Sequence, residues 1–419
     1  MVQNSQDRPP FHYGWVIVFT GTLCIFAGLG LGRFALGMLL PSMASTLRLT
    51  YSQMGFISTA NFLGYLISVL VSGFSAVRTG ARRLIFAALL LVGISMILVS
   101  QARTFAYVLV LYFLTGIGSG ATNVPVMGLV AHWFTHTKRG KAAGFIVIGS
   151  GFAIIISGKL LPFINRLAGS DGWRISWLAL GCIVVIVAFI SHFLIRNAPE
   201  EKGLRAIGSD DTAPFYSQII DKMKANIYKK KVIYHLGAIY FLFGYSYVIY
   251  ATFFVTTLVK ERGFPESKAG NLWAWIGFLS LFSGPAFGSL SDKLGRKPGL
   301  IIVFFLQMLS YLLIASGLPG VFLSLSIFSY GIVAWSIPSI MVAAAGDYVG
   351  AHKTGQAFGL MTFIFGFGQI AGPAMAGLLA EKTGSFSGSF SMAAASAGIA
   401  IVLACFLKRP RNGPHRPAV

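Results

Sequence analysis

The sequence predicts an all-α membrane protein of twelve transmembrane helices, arranged as two pseudo-symmetric six-helix halves. Three observations carry this prediction. The 419 residues are 55% hydrophobic and only 11% charged, against roughly 25% charged in a soluble domain. So few charges cannot cover so much apolar surface in water, and so much apolar surface is incompatible with a disordered chain. The apolar residues fall into segments near the ~20 residues that cross a bilayer core. Glycines recur at one fixed offset of 215 residues.

Each segment is bounded by glycine, proline or charge. The first, 13–42, follows a tail with Arg8, Pro9 and Pro10, and its apolar run from Trp15 to Leu40 is too long for a signal-peptide core. It is expected to be retained as the first span. Next come 52–76 after Arg48, 83–102 after Arg82, 104–133 after Arg103, 140–164 after Arg139, and 173–195 after Asp171. The second set is 232–259, 267–290, 298–317, 319–346, 355–380 and 387–407. Residues 196–231 form the long polar stretch, with Glu200, Glu201, Asp210, Asp211, Asp221 and the run Lys229, Lys230, Lys231. This reads as a cytoplasmic linker with a short surface helix near Tyr216–Lys224. The expected domains are therefore 1–195, the linker 196–231, 232–407 and a cytoplasmic tail 408–419.

The formal charge of +21 would suggest nucleic acid in a soluble protein. With both termini cytoplasmic, 23 Lys and Arg lie on the inner side, 8 on the outer side and 2 within spans, as the positive-inside rule requires. The basic collar then faces an anionic leaflet, worth about 1 kcal/mol per residue near the surface, and no nucleic-acid partner is needed. Cys24, Cys182 and Cys405 all sit in apolar runs, so neither a disulfide framework nor a metal site is expected.

The 215-residue shift superposes Gly55 on Gly270, Gly73 on Gly288, Gly80 on Gly295 and Gly116 on Gly331. It also superposes Gly140 on Gly355, Gly144 on Gly359, Gly151 on Gly366 and Gly169 on Gly384. Glycine frequency alone gives about three coincidences, so eight at one offset indicate a repeat. Because odd spans match odd spans, the halves share one topology, and a substrate site is expected between them.

The loop after the eighth segment reads Gly288-Ser-Leu-Ser-Asp292-Lys293-Leu-Gly295-Arg296-Lys297. This resembles the signature loop of the major facilitator superfamily. Its repeat partner, Gly73 to Arg83, keeps Arg78, Gly80 and Arg82 but has Val77 where the acid belongs. Trp133-Phe134 with Lys138-Arg139-Gly140 and Gly144, the Gly149-Ser-Gly151 step, and Tyr13-Gly14-Trp15 resemble the monocarboxylate and oxalate–formate porters. Gly32-Arg33-Phe34, Leu39-Leu40-Pro41-Ser-Met43 and Asn61-Phe62-Leu63-Gly64-Tyr65 are similar to a poorly characterised bacterial branch of the same superfamily. The acid and arginine that those porters carry in span eight are missing between Asn271 and Leu290, so their substrate clamp does not transfer to that helix. The resemblance implies a rocker-switch carrier in a bacterial inner membrane, monomeric, with its cavity lined by spans 1, 2, 4, 5, 7, 8, 10 and 11.

An ionisable residue inside a span costs roughly 2.5–3.5 kcal/mol on insertion scales, and here such residues are one-sided. Arg33 and Lys159 are embedded, while no Asp or Glu lies in a span interior. A buried cation without an acid calls for an anion from elsewhere. Arg33 lies 19 residues beyond Gly14, as Lys159 does beyond Gly140, which puts both about 28 Å above the helix starts. The spacing of Gly144, Ile148, Gly151, Ile155 and Lys159 places Lys159 on a small-residue face. For Arg33 a ligand role is favoured. For Lys159, ligand and snorkelling to the outer headgroups both stand. Asn123, Tyr245, Tyr247, Asn271, Trp275, Trp335 and Gln369 are further substrate-binding candidates, each with interhelical packing as the alternative. His132 and His235 read as interfacial.

Asp292, Lys293, Arg296, Lys297, Arg78, Arg82, Asp347 and Gly140 are expected to form a gate. By family analogy Asp292 should meet the start of span five near Gly140 and Lys141, where a helix N-terminus favours a carboxylate. Asp347 should pair with Arg296 or Lys297. The first functional reading is a secondary transporter of a small organic anion, most simply a monocarboxylate, with proton symport as one coupling mode. Drug efflux is the nearest alternative, although the Gly-Pro step of the antiporters is absent from span five and occurs instead at Gly372-Pro373. A non-transporting membrane sensor is the other. No cofactor and no enzyme constellation is expected.

Overall fold

A computed structural model describes residues 12–208, 230–318, 320–350 and 353–408. The surface helix expected near Tyr216–Lys224 and the tail beyond Lys408 lie outside the described residues. In the first half the long helices are α1 (Gly14–Leu47), α2 (Tyr51–Thr79), α3 (Ala81–Val99), α4 (Phe105–Trp133), α5 (His136–Ala168) and α6 (Gly172–Leu194). In the second they are α7 (Lys231–Glu261), α8 (Glu266–Leu294), α9 (Arg296–Ala315), α10 (Val321–Val349), α11 (Thr354–Thr383) and α12 (Ser387–Cys405).

Among the described residues, ten stretches meet the length and hydropathy of a span outright. One of these, Lys138–Leu194, is two helices, α5 and α6, broken by the 3-10 turn Gly169–Asp171. The other addition is α8, less apolar through Ser280, Ser283, Ser291 and Asp292, yet 29 residues long and packed along α5. The total of twelve agrees with the sequence reading. An even number of crossings puts both chain ends on one face, here the terminal face; the opposite one is the far face.

Local chemistry sets the breaks. Thr50 and Gln53 form a capping box at the start of α2, satisfying two otherwise orphaned donors. Gly80 (φ 81°) and Gly295 (φ 100°) make the sharp steps from α2 to α3 and from α8 to α9, a conformation costly for any residue with a Cβ. These two are repeat partners, which accounts for the glycine at that place in both loops.

The repeat is also visible in how the halves touch. Leu66 of α2 sits on Gly366 of α11, and Leu281 of α8 sits on Gly151 of α5; adding 215 to 66 and to 151 gives 281 and 366. Towards the far face, a Cβ at Gly55 would lie 2.3 Å from the Pro373 carbonyl, and one at Gly158 would lie 2.4 Å from that of Gly270. Backbones this close need glycine. Towards the terminal face the halves part: around Gly73, Gly140, Gly144, Gly355 and Gly359 an added Cβ would meet nothing within 4 Å. Backbone contact between the halves is thus concentrated towards the far face.

Candidate functional site

The centre of the site is Arg33. The middle of α1, Ile25–Phe34, winds as a π-helix, a rare geometry that clusters at functional positions. Within it Gly28 and Gly32 pack on Thr122 and Ser119 of α4, and Gly30 packs on Ala153 of α5. The Ser119 hydroxyl donates to the Gly28 carbonyl at 2.5 Å. The wide turn thus seats Arg33 at mid-helix, only 8% exposed.

The guanidinium lies between two rings, its Cζ 4.4 Å from the Phe62 centroid and 4.2 Å from that of Tyr65. Both rings are within favourable cation–π reach. Nε and Nη2 are buried without a hydrogen-bond partner. Their N–H bonds point the same way along one edge, the geometry that receives both oxygens of a carboxylate. A buried cation with an unpaired edge is expensive to keep, so the arrangement is poised for an anion.

Around Arg33 the structure collects four of the other sequence candidates through shared neighbours. Asn123 of α4 donates to the Tyr65 hydroxyl at 2.8 Å. Across the interface, Tyr247 of α7 faces Arg33 and accepts from Gln369 of α11 at 2.5 Å. Trp335 packs edge-on to Tyr247 at 5.9 Å and lies 5.3 Å from the Phe34 ring. It is held at the break in α10 (332–335) by Ser283, whose Oγ accepts from the Trp335 amide at 3.1 Å. The Trp335 indole N–H is buried and unpartnered. Stacked rings from Tyr240, Phe243 and Phe365 back Tyr247.

Other candidates lie elsewhere. Lys159 is exposed and donates to Asn271 Oδ1 at 2.6 Å, in a far-face groove between α5 and α8 lined also by Ser42, Asn165, Arg166 and Glu266. The pairing of Lys159 with Arg33 in one site, expected from depth, is corrected. Gly158 faces α8, and the next side chain opens into the groove rather than toward Arg33. Asn271 leaves the central site with it. Tyr245 points its hydroxyl at Met392 of α12, 2.9 Å away, and Trp275 is largely exposed. His235 and His132 bond backbone carbonyls of Leu403 and Gly128.

Phe62, Tyr65 and Asn61 were not singled out by chemistry, although they stand together in the quoted stretch 61–65. The signal was their spacing with Ser58 at i, i+3, i+4 and i+7 on one face of α2.

At the terminal face Arg296 donates to Asp292, to Asp347 Oδ2 at 2.7 Å and to Ser291 Oγ at 2.9 Å. The Asp347–Arg296 pairing is the one anticipated. Asp292, however, does not meet the start of α5. A Cβ added at Gly140 would meet nothing within 4 Å, and the Asp292 carboxylate pairs with Arg296 within its own half. Lys297 bonds the Cys405 carbonyl. In the first half, Arg82 donates to the His192 carbonyl at 2.6 Å and Arg78 stacks on Phe74, while Val77 is 86% exposed.

Two similar helical halves with a buried polar centre between them have the architecture of a membrane carrier. The chain belongs to the family described as "Uncharacterised MFS-type transporter YbfB", which matches residues 25–405. It is 28% identical to a hexuronate transporter of Bacillus subtilis over 91% of this chain and 92% of that protein. It is 23% identical to a probable sulfoacetate transporter of Cupriavidus necator over 92% of each chain. Human monocarboxylate transporter 2 is 24% identical over 91% of this chain and 83% of its own length. Among solved structures, the nucleoside transporter NupG superposes with a TM-score of 0.71 at 16% identity, covering 95% of this chain and 98% of that one. A bacterial homologue of the human lysosomal transporter Spinster, in an inward-facing conformation, gives 0.71 at 14%, covering 96% of each. Family and relatives are transporters rather than enzymes, and the sensor reading falls away with them.

Proposed function

We propose that the protein is a secondary active transporter of a small organic anion, with a monocarboxylate as the simplest cargo. The observation that carries this is the Arg33 edge: two buried unpartnered donors, cation–π contact with Phe62 and Tyr65, and no acid among the described residues within a span interior. Relatives named for hexuronate, sulfoacetate and monocarboxylate transport support the reading, since each of those cargoes is an organic anion. Efflux of a lipophilic cation would need an embedded acid instead.

In this reading Asn123, through Tyr65, with Tyr247, Gln369 and Trp335, shapes the site around the bound anion. The halves rock about it so that it faces each side in turn. The terminal face is the cytoplasmic side of a bacterial inner membrane, in keeping with the distribution of bases. Asp292, Lys293, Arg296, Lys297, Arg78, Arg82, Asp347 and Gly140 act there as the gate, with Asp292 moving to the start of α5 when that side shuts. The carrier works as a monomer. With no acid in a span interior among the described residues, proton coupling would fall to the cargo's own carboxylate or to a histidine, and exchange of one anion for another is the alternative mode.

The test is uptake of labelled lactate, pyruvate, an aromatic acid and a hexuronate into proteoliposomes, with and without a pH gradient. Saturable uptake lost in Arg33→Gln supports the reading. Undiminished uptake in that variant removes Arg33 as the anion's partner.

A further inference from the structure

The seam between α5 and α8 has a covered side and an open side. Along the seam itself Gly151 meets Leu281, and Gly158 meets the Gly270 carbonyl. One residue back from it, Ser150 and Ser157 of α5 and Ala269 and Trp273 of α8 are buried, and α1 covers this side through Gly30 on Ala153. One residue forward, Phe152, Ile156, Lys159, Phe163 and Arg166 stand exposed at helical spacing on α5. Asn271, Trp275, Phe278 and Phe282 do the same on α8. The two helices are antiparallel, so a step forward from their contact turns both rows to the same side. They flank one valley, which the 2.6 Å hydrogen bond from Lys159 to Asn271 bridges. A continuous exposed row of large apolar side chains marks a surface that meets lipid.

Towards the far face the valley becomes basic. Helix α5 has 33 residues, about 50 Å, and so overhangs a ~30 Å hydrocarbon core by about 10 Å at each end. Lys159, nine residues before the helix ends at Ala168, lies close to that boundary, and Arg166 lies two turns beyond it, at headgroup depth. Here the valley widens into a cavity of ≈ 410 Å³. Lys159 bonds a neutral amide there. The Arg166 guanidinium lies over the Phe163 ring, its Cζ 5.8 Å from the centroid, with no ion pair among the described residues. Lys268, over the Phe264 ring at 4.3 Å, adds a third base at the α8 wall. The acid in the cavity, Glu266, accepts from Asn165 Nδ2 at 2.8 Å. Positive charge therefore exceeds negative where a leaflet presents its phosphates, and an apolar track leads down from it into the bilayer.

We propose that this valley binds an anionic phospholipid of the leaflet at the far face. Its phosphodiester sits between Lys159 and Arg166, which donate charge-assisted hydrogen bonds, and an acyl chain lies between the Phe152–Ile156 and Trp275–Phe278 rows. A free anion would satisfy the bases but leave the apolar track unused. One wall comes from each half, so the lipid spans the seam between them, on the side of α5 away from α1 and Arg33.

The experiment uses Trp275 as its reporter. The full chain is reconstituted in vesicles of phosphatidylcholine and phosphatidylglycerol, one or the other brominated on its acyl chains, and quenching is followed in the part of the tryptophan fluorescence that Trp275→Phe removes. The binding ratio should favour phosphatidylglycerol about tenfold, the scale of two bases near an anionic headgroup. Combining Lys159→Gln with Arg166→Gln should bring the ratio to within about twofold, while brominated phosphatidylcholine still quenches, which reports a folded helix pair in contact with lipid. Millimolar inorganic phosphate should leave the wild-type ratio unchanged. Equal quenching by the two lipids in the wild-type protein overturns the inference, and so does a preference that survives in the double variant. A preference abolished by inorganic phosphate overturns it in favour of a free-anion site. Absence of quenching by either lipid overturns it as well, since the row would then not face the bilayer.

Discussion

Arg33 and Lys159 look equivalent along the chain, and the fold treats them as opposites. Each is a lone base in an apolar helix, 19 residues past the glycine used to mark its start. Arg33 ends up buried between Phe62 and Tyr65 with an unpaired edge. Lys159 ends up exposed at the far face, paired to Asn271 across the interface between the halves. The difference is angular. Gly158 is pressed against the Gly270 carbonyl, so its neighbour emerges beside the contact; Arg33 leaves a π-helical turn that opens inward. Depth in the membrane locates a charge, but the direction in which it leaves the helix decides what it can bind.

That contrast can be broken most sharply at Arg33. Arg33→Gln is expected to lower saturable anion uptake by about 100-fold or more, the scale of a lost charge-assisted pair in a buried site. Arg33→Lys keeps the charge but not the two-donor edge, and should still lose about tenfold; full activity in this variant would show that charge alone suffices. Tyr247→Phe removes a hydroxyl facing Arg33 and frees the Gln369 amide, with an expected loss of about fivefold, read as a change in uptake KM. Lys159→Gln marks the other side of the comparison: uptake should fall by less than about twofold, as for an exposed polar pair. A loss there rivalling that of Arg33→Gln would restore Lys159 to the site. Asp292→Asn should leave cargo affinity unchanged and shift the balance between open and closed terminal faces, measured by spin-label distances between α5 and α8.

Much of this architecture was readable beforehand because its determinants are local. The crossings follow from length and polarity, and the repeat follows from glycines that either take a positive φ, as at Gly80 and Gly295, or let backbones touch, as at Gly55 and Gly270. Arg33 stood out as an isolated charge. What could not be read was relational. The π-helical winding of Ile25–Phe34, the side to which Lys159 turns, and the approach of Phe62 and Tyr65 from another helix all depend on partners distant in the chain. Asp292 adds a second kind of limit, since it pairs with Arg296 of its own half and not with the start of α5.

Leu66 on Gly366 and Leu281 on Gly151 define a line across the molecule. A swing of one half against the other that keeps both contacts has this line as its axle, leaving a single degree of freedom in place of a loose slide. Tyr65 is the residue next to one bearing, so in the rocking motion proposed above the ring against Arg33 would be displaced least. The cargo would be held at the still point of the machine while the two mouths, far from the axle, travel the most.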